Sequence, residues 1–164
     1  DLVGFTSLAR ETGPKALVAV LNELFCGFDA LCEASGVEKI KTSGDSYMAA
    51  AAVPDYVEDH PARAADLALS MLDAIARFNR DHLASLELRI GMHTGPVVAG
   101  IVGTHKFAYD LWGETVNTAA RMESLRIYIS AGGGSGMIGY PVAALNSTRY
   151  SGGLVLPARN RLLS

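Results

Sequence analysis

The chain has few cysteines, few aromatic residues and no large excess of charge of either sign. Its two cysteines, Cys26 and Cys32, form no CxxC pair, so neither a zinc ribbon nor a disulfide framework is indicated. We expect both thiols to be reduced and to lie in the core, on different faces of one helix. The net charge of −3 comes with scattered basic residues, which argues against nucleic-acid binding, because a nucleic-acid reader normally carries a basic stripe.

Long uncharged hydrophobic runs are also absent. The longest helical segments carry charges throughout, and no segment has the pattern of a signal peptide or a membrane span. Hydrophobic residues still make up 49% of the 164 positions, which predicts one domain with a buried core. We expect this domain to be cytoplasmic, whether or not a longer protein is tethered to a membrane. Because the chain opens on Asp1, we interpret it as part of such a protein, with a strand and regulatory domains upstream.

Periodicity predicts an α+β fold. Apolar residues at three- and four-residue spacing predict helices over residues 14–35, 61–79 and 114–123, with Gly36 ending the first of them. Alternation and turn residues predict a hairpin of residues 37–42 and 47–53, a second hairpin of residues 86–93 and 97–102, and a short strand at 107–111. This order fits a ferredoxin-like, palm-type βαββαβ arrangement, an antiparallel sheet with helices on one face.

The last forty or so residues differ in character from the rest. A glycine-rich run occupies residues 131–136, and the remainder shows little periodicity. We therefore predict a folded domain over residues 1–124 and an atypical glycine-rich tail over residues 125–164, poorly ordered or divergent.

Two aspartates lie in short segments that expose a carboxylate. Asp1 ends the predicted first strand, and Asp45 lies in the turn of the first hairpin. In a β-α-β-β unit the first strand commonly pairs with the third, which would place the two side by side. With a backbone carbonyl such as that of Leu2, they would form an oxygen-rich site for Mg²⁺ or Mn²⁺. Two such ions could activate an attacking hydroxyl and neutralise a leaving pyrophosphate. Taken singly, each aspartate is also an ordinary turn residue.

A second candidate pair lies on the last predicted helix. Asn117 and Arg121 are four positions apart, so they share one helix face. The planar guanidinium of arginine suits phosphate oxygens, and asparagine can position a ribose oxygen. An ordinary surface pair is the alternative interpretation.

Four blocks of sequence resemble the signature blocks of the class III nucleotidyl cyclases. The blocks are DLVGFT at residues 1–6, VEKIKTSGDSYMAA at 37–50, LRIGMHTGPVVAG at 88–100 and FAYDLWGETVNTAARMES at 107–124. They are long and follow the order of the family, and together they cover about residues 1–124. The resemblance implies the palm-type cyclase fold, with the N-terminal strand truncated, and an activity in intracellular signal transduction.

The resemblance also implies a role for each candidate residue. Asp1, Asp45 and the backbone carbonyl of Leu2 would ligate two Mg²⁺ or Mn²⁺ ions per site. Asn117 and Arg121 would orient the ribose and stabilise the transition state. The metal-binding residues and the remaining site residues would come from different subunits of a homodimer, so an isolated monomer would be inactive.

The same resemblance assigns purine recognition to Lys41 and Asp110. Adenylate cyclases of the family have lysine and aspartate at these positions, whereas guanylate cyclases tend to have glutamate and cysteine. The chemistry agrees, because adenine offers an amine donor to Asp110 and the N1 acceptor to Lys41, and guanine reverses both. A mismatched base would leave buried polar groups unpaired. The sequence thus predicts conversion of ATP to 3′,5′-cyclic AMP and pyrophosphate.

Two alternatives stay open, and a third is excluded. The chain could be a catalytically inactive cyclase-like module for nucleotide binding or dimerisation, since the family's triphosphate-contacting lysine has no counterpart after Lys106. It could be a guanylate cyclase, which Lys41 and Asp110 disfavour. A diguanylate cyclase would need a Gly-Gly-Asp/Glu-Glu-Phe turn, and the turn around Asp45 differs from it.

Overall fold

The computed structural model describes residues 1–103, 108–124 and 154–156. Its elements in chain order are β1 (Leu2–Val3), α1 (Phe5–Thr12), α2 (Pro14–Ser35), β2 (Glu38–Ser43), β3 (Ser46–Ala51), α3 (His60–His82), β4 (Glu87–Leu88), β5 (His93–Thr94), β6 (Val98–Val102), β7 (Ala108–Trp112), α4 (Glu114–Ser124) and β8 (Leu154–Leu156). The α+β class, the three predicted helices and the first hairpin are confirmed. Gly36 ends α2 in the left-handed conformation, at φ 62° and ψ 36°.

The β2–β3 hairpin has a core on each of its faces. On one face Tyr47, Ala49 and Ala51 pack against helices α2 and α3. On the other face Met48 and Ala50 belong to a second buried cluster. That second cluster also contains residues of β2, β7 and α4, namely Ile40, Leu111 and Val116. The alternation of β3 between two cores fixes its register, because a slip of one residue would exchange the two faces.

Strand pairing beyond this hairpin differs from the prediction. The predicted strand at residues 86–93 is two short strands, of which β4 pairs with β1 and β5 pairs with β8. The predicted second hairpin is therefore wrong, and β6 pairs with β7 instead. The expected pairing of the first strand with the third is wrong as well, since β1 lies against β4. Between β4 and β5 the backbone at Gly91 packs directly against helix α4, which interrupts the ladder.

Strand β8 comes from the predicted tail and pairs with both β3 and β5. The rest of residues 125–164 lies outside the described residues, and the domain boundary at residue 124 stays a prediction. The prediction of two core thiols is right for Cys32, which is buried, and wrong for Cys26, which is exposed on α2. None of the helices in the described ranges is both long and apolar enough to span a bilayer.

Candidate active site

Asp1 and Asp45 lie on backbone segments that are in contact. The backbone N–H of Leu2 donates to the carbonyl of Asp45 at 3.2 Å, so the turn of the first hairpin lies against the start of β1. Asp1 is itself paired to the segment after β4, because the N–H of Arg89 donates to the carbonyl of Asp1 at 3.0 Å. Asp45 is half-buried and follows Gly44, whose φ of 60° allows the tight turn. The structure therefore brings Asp1, Leu2 and Asp45 together.

The carboxylate of Asp1 is almost completely buried. Its side chain is 1% exposed and forms an ion pair with the guanidinium of Arg89, through Oδ2 and Nη2. The hydroxyl of Ser46 donates to Oδ1 at 2.9 Å. A buried carboxylate needs such partners, because desolvation without them is costly. Sequence reasoning missed both Arg89 and Ser46, although both lie inside the blocks that carry the resemblance.

The hairpin that carries Asp45 is anchored to α2 by polar contacts. The hydroxyl of Tyr47 donates to Asp29 Oδ1 at 2.6 Å and lies 3.4 Å from the sulfur of Cys32. Lys39 forms an ion pair with the same aspartate at 2.7 Å. Burial, followed by the hydrogen bond to Asp29, raises the pKa of the Tyr47 phenol well above its ordinary range. Burial likewise raises the pKa of the Cys32 thiol. Both groups thus stay protonated at neutral pH and hold the hairpin on α2.

Lys41 and Asp110 form a close ion pair between β2 and β7. The ammonium nitrogen lies 2.5 Å from Oδ2 of the carboxylate, and the two side chains are 24% and 11% exposed. The other carboxylate oxygen accepts from the backbone N–H of Leu111 at 2.8 Å. The structure therefore presents one fixed donor beside one fixed acceptor.

A β-bulge in β2 determines the face of the strand on which Lys41 lies. The register with β3 shifts between Lys39, opposite Ala49, and Lys41, opposite Met48. In a regular strand these two lysines would share a face, because side chains alternate. Since Ala49 faces the helices and Met48 faces the second core cluster, the bulge places the lysines on opposite faces. No sequence signal predicted this bulge.

Asn117 and Arg121 lie on one side of α4, where Arg121 is exposed and Asn117 is half-buried. Arg121 Nη1 is 3.2 Å from Glu114 Oε1, and both side chains are 71% exposed. Asn117 Nδ2 donates to Glu114 Oε2 at 3.4 Å. The described contacts of both residues thus go to one carboxylate at the start of their own helix. This placement leaves them accessible to a nucleotide or to a second subunit.

Helix α4 is held against the strands by close backbone contacts. A Cβ at Gly91 would lie 2.2 Å from the carbonyl oxygen of Ala119 and 2.3 Å from the N–H nitrogen of Glu123. A Cβ at Gly95 would lie 2.5 Å from the hydroxyl of Thr115, which itself donates to the carbonyl of Pro96 at 2.7 Å. These approaches are possible only with glycine, so they fix the position of the helix that carries Asn117 and Arg121.

The carboxylate oxygens of Asp1 and Asp45 are suitable ligands for a hard cation that takes most of its other ligands from water and substrate. Within the described residues there is no group of three or more His, Cys, Asp or Glu side chains that could hold a metal. Two aspartates and a carbonyl oxygen nevertheless match the oxygen ligands of Mg²⁺ and Mn²⁺, which keep waters and substrate phosphates as further ligands. Each carboxylate oxygen accepts more than one contact, so a cation can join those of Ser46 and Arg89 at Asp1.

Comparison with known proteins gives a consistent family. The family described as adenylate and guanylate cyclase catalytic domain matches residues 1–130. An adenylate cyclase of Mycobacterium tuberculosis is 48% identical over 124 residues, which is 76% of this chain and 28% of that protein. The receptor-type guanylate cyclase gcy-28 of Caenorhabditis elegans is 43% identical over 137 residues, 79% of this chain and 11% of that protein. The chain thus spans a small part of the length of these relatives.

A solved structure agrees with the sequence comparisons. The guanylate cyclase domain of RhGC from Catenaria anguillulae, in complex with GTP, matches at 40% identity with a TM-score of 0.72. The match covers 76% of this chain and 68% of that one. Adenylate and guanylate cyclases therefore both stand among the similar proteins, and identity alone does not separate the two substrates.

Proposed function

This chain belongs to the adenylate and guanylate cyclase catalytic domain family, and we propose that it converts ATP to 3′,5′-cyclic AMP and pyrophosphate in signal transduction. The observation that carries the choice of ATP is the ion pair between Lys41 and Asp110. The proposal is that the ammonium of Lys41 donates to N1 of adenine and that Asp110 accepts from the exocyclic amine.

The polarity of that pair is fixed by its surroundings. Asp110 accepts from the N–H of Leu111 and contacts Lys41, so its carboxylate acts as an acceptor. Lysine has donors only. Guanine presents an acceptor and a donor in the reverse order, so it would need the two side chains to exchange places. Because Lys41 is aimed by the bulge in β2 and Asp110 lies in β7, this exchange would require the strands to move.

The proposed reaction is intramolecular. The ribose 3′-hydroxyl attacks the α-phosphorus of ATP, a bond from O3′ to the α-phosphorus forms as the hydroxyl proton passes to solvent, and the bond to the pyrophosphate leaving group breaks. Two Mg²⁺ or Mn²⁺ ions, when bound by Asp1, Asp45 and the carbonyl of Leu2, supply charge neutralisation for the attacking and leaving oxygens. Asn117 positions the ribose, and Arg121 stabilises the charge that develops on the phosphate oxygens.

We propose that each site is shared by two subunits of a homodimer. Asp1 and Asp45 lie at β1 and the turn of the first hairpin, whereas Asn117 and Arg121 project from one side of α4. In one chain Asn117 and Arg121 are occupied with Glu114, so their proposed substrate contacts require this intramolecular pairing to be replaced. A second subunit that brings its aspartates to this side of α4 would complete the site.

A guanylate cyclase is the second candidate, because guanylate cyclases are among the similar proteins. Incubation of the purified protein with ATP or GTP and Mn²⁺, followed by quantification of the cyclic product, separates the two. The proposal predicts cyclic AMP as the main product. Cyclic GMP as the main product would instead identify a guanylate cyclase. Nucleotide binding without a product would indicate an inactive module.

A further inference from the structure

Arg89 lies between two buried carboxylates. Its Nη2 contacts Asp1, and its Nε lies 2.9 Å from Oε1 of Glu123. The Arg89 side chain is 25% exposed, whereas the carboxyl side chains of Asp1 and Glu123 are 1% and 2% exposed. The positive charge of Arg89 is therefore shared by the carboxylates of Asp1 and Glu123, and both carboxylates are shielded from solvent.

The contact with Glu123 is electrostatic and lacks hydrogen-bond alignment. Within the described residues, Nε of Arg89 and Oε1 of Glu123 are both buried without a hydrogen-bond partner, although they are 2.9 Å apart. The other oxygen of Glu123 accepts from the hydroxyl of Ser124 at 3.2 Å. At this distance the charge of Arg89 still interacts directly with the buried carboxylate of Glu123.

The same glutamate lies on the helix that carries Asn117 and Arg121. The N–H nitrogen of Glu123 would lie 2.3 Å from a Cβ at Gly91, so this part of α4 rests directly on the segment that follows Arg89. Ion pairs thus connect Asp1, the proposed cation ligand, through Arg89 to Glu123 on helix α4.

We propose that Glu123 is a positioning residue that sets the cation affinity of Asp1 by drawing part of the charge of Arg89 away from it. The proposal rests on the proposed function, because it takes Asp1 as a ligand of Mg²⁺ or Mn²⁺. Arg89 and a divalent cation are both attracted to the carboxylate of Asp1. With Glu123 ionised, the guanidinium is attracted to two acids, and Asp1 can bind a cation without full competition from Arg89. Without that charge, Arg89 is committed to Asp1 and opposes the cation.

Binding of Mn²⁺ tests this inference without turnover. The hexaaqua Mn²⁺ signal in electron paramagnetic resonance reports the free ion, and 3′-deoxy-ATP supplies a triphosphate without the attacking hydroxyl. Glu123→Gln is expected to weaken Mn²⁺ binding by about tenfold or more, as changes in the partners of metal ligands commonly do. Glu123→Asp keeps the charge but reaches Arg89 less well, so a moderate loss of affinity is expected, smaller than that of Glu123→Gln.

Asp59→Asn is the matched control. It removes the acid of another arginine–carboxylate pair, Arg63–Asp59, which lies partly exposed at the N-terminal end of α3. Its Mn²⁺ affinity should equal that of the wild-type protein. Thermal melting followed by circular dichroism establishes that each variant is folded. The Mn²⁺ binding that is lost in Asp45→Ala is the binding at the proposed site.

A folded Glu123→Gln variant with wild-type Mn²⁺ affinity would overturn the inference. If that variant does not fold, Glu123→Asp decides: a moderate loss is expected because the shorter side chain reaches Arg89 less well, and no loss overturns the proposal. Wild-type protein that binds Mn²⁺ through Asp45 but makes no cyclic nucleotide would remove the proposed function and leave the role of Glu123 standing. Absence of Mn²⁺ binding in the wild-type protein would overturn both.

Discussion

Lys41 and Asp110 are 69 positions apart in the chain and meet at 2.5 Å between β2 and β7. Each lies next to a residue of the second core cluster, Ile40 beside the lysine and Leu111 beside the aspartate. The packing of the second core cluster therefore holds the two strands that carry the pair. This arrangement is the physical basis of the proposed preference for ATP.

Removing the charge of Asp110 should impair the use of ATP. Asp110→Asn replaces one carboxylate oxygen by an amide donor, which opposes both Lys41 and the adenine amine. We expect kcat/KM for ATP to fall on the order of 10²-fold, with Mn²⁺ binding unchanged. Steady-state kinetics checks the change, and Lys39→Gln is the control because it removes a lysine of the same strand whose exposed partner, Asp29, lies on α2. Unchanged ATP kinetics in Asp110→Asn would exclude its role in purine recognition.

Arg121 should matter for turnover and hardly for folding. Its side chain is 71% exposed, and exposed ion pairs such as the one with Glu114 add little stability. Arg121→Ala is expected to lower kcat by roughly 10²-fold or more, because a charge that stabilises the transition state is lost. Single-turnover kinetics and thermal melting measure the two effects. Arg77→Ala, on the exposed surface of α3, should change neither, and a normal kcat in Arg121→Ala would contradict the assignment.

Gly91 should tolerate no side chain. An added Cβ would lie 2.2 Å from the carbonyl of Ala119, so Gly91→Ala must push α4 away from the strands. We expect a loss of about 1–3 kcal/mol in the free energy of unfolding, measured by urea denaturation. Gly27→Ala is a control of opposite sign: no neighbouring atom lies within 4 Å of the added carbon, and alanine should stabilise α2 by about 0.5–1 kcal/mol. A Gly91→Ala protein as stable as wild type would disprove the close packing of α4.

The Tyr47 phenol should make the fold sensitive to alkaline pH. Its pKa is raised above the ordinary value of 10.0 by burial and by the hydrogen bond to Asp29, so the folded state keeps the proton where the unfolded chain loses it. This contribution is complete below about pH 10 and is lost as pH rises further, at up to about 1.4 kcal/mol per pH unit. Cys32, whose pKa is also raised, adds a loss of the same sign that begins near 9.0.

Tyr47→Phe tests this dependence. At neutral pH the variant should lose about 1 kcal/mol with the hydrogen bond to Asp29. Above pH 10 its stability should fall less steeply than that of the wild-type protein, as measured by denaturation at a series of pH values. Tyr56→Phe, at a position that is 60% exposed, serves as the control. Parallel pH profiles for Tyr47→Phe and the wild-type protein would show that the phenol carries no such linkage.

The sequence was sufficient for the local elements because their signals are local. The helix α2 ends at Gly36, and the first hairpin turns at Gly44, because each glycine adopts a left-handed conformation. The pairing of the later strands was predicted wrongly because it depends on contacts between distant segments, such as Gly91 with Ala119 and β5 with β8. Local alternation cannot distinguish among these partners.

The candidate site divides in the same way. Asp1, Asp45, Lys41 and Asp110 were proposed as site residues because their residue types and blocks indicate their chemistry, and the structure pairs Lys41 with Asp110. Their supporting partners were not found. Arg89 and Glu123 are 34 positions apart in the chain, and no sequence pattern indicates that they are in contact. Only the packing of α4 on the strands brings them together.

The proposed arrangement of the homodimer has the aspartates of each site on one subunit and Asn117 and Arg121 on its partner. Its most direct test is the heterodimer of Asp45→Ala and Arg121→Ala subunits, produced together with two different affinity tags and purified through both. Each variant alone should be inactive, and the heterodimer should regain about half of the wild-type turnover per dimer, because one of its two sites is intact. A heterodimer as inactive as its parents, or failure of the two chains to associate at all, would exclude a site shared between subunits in this way.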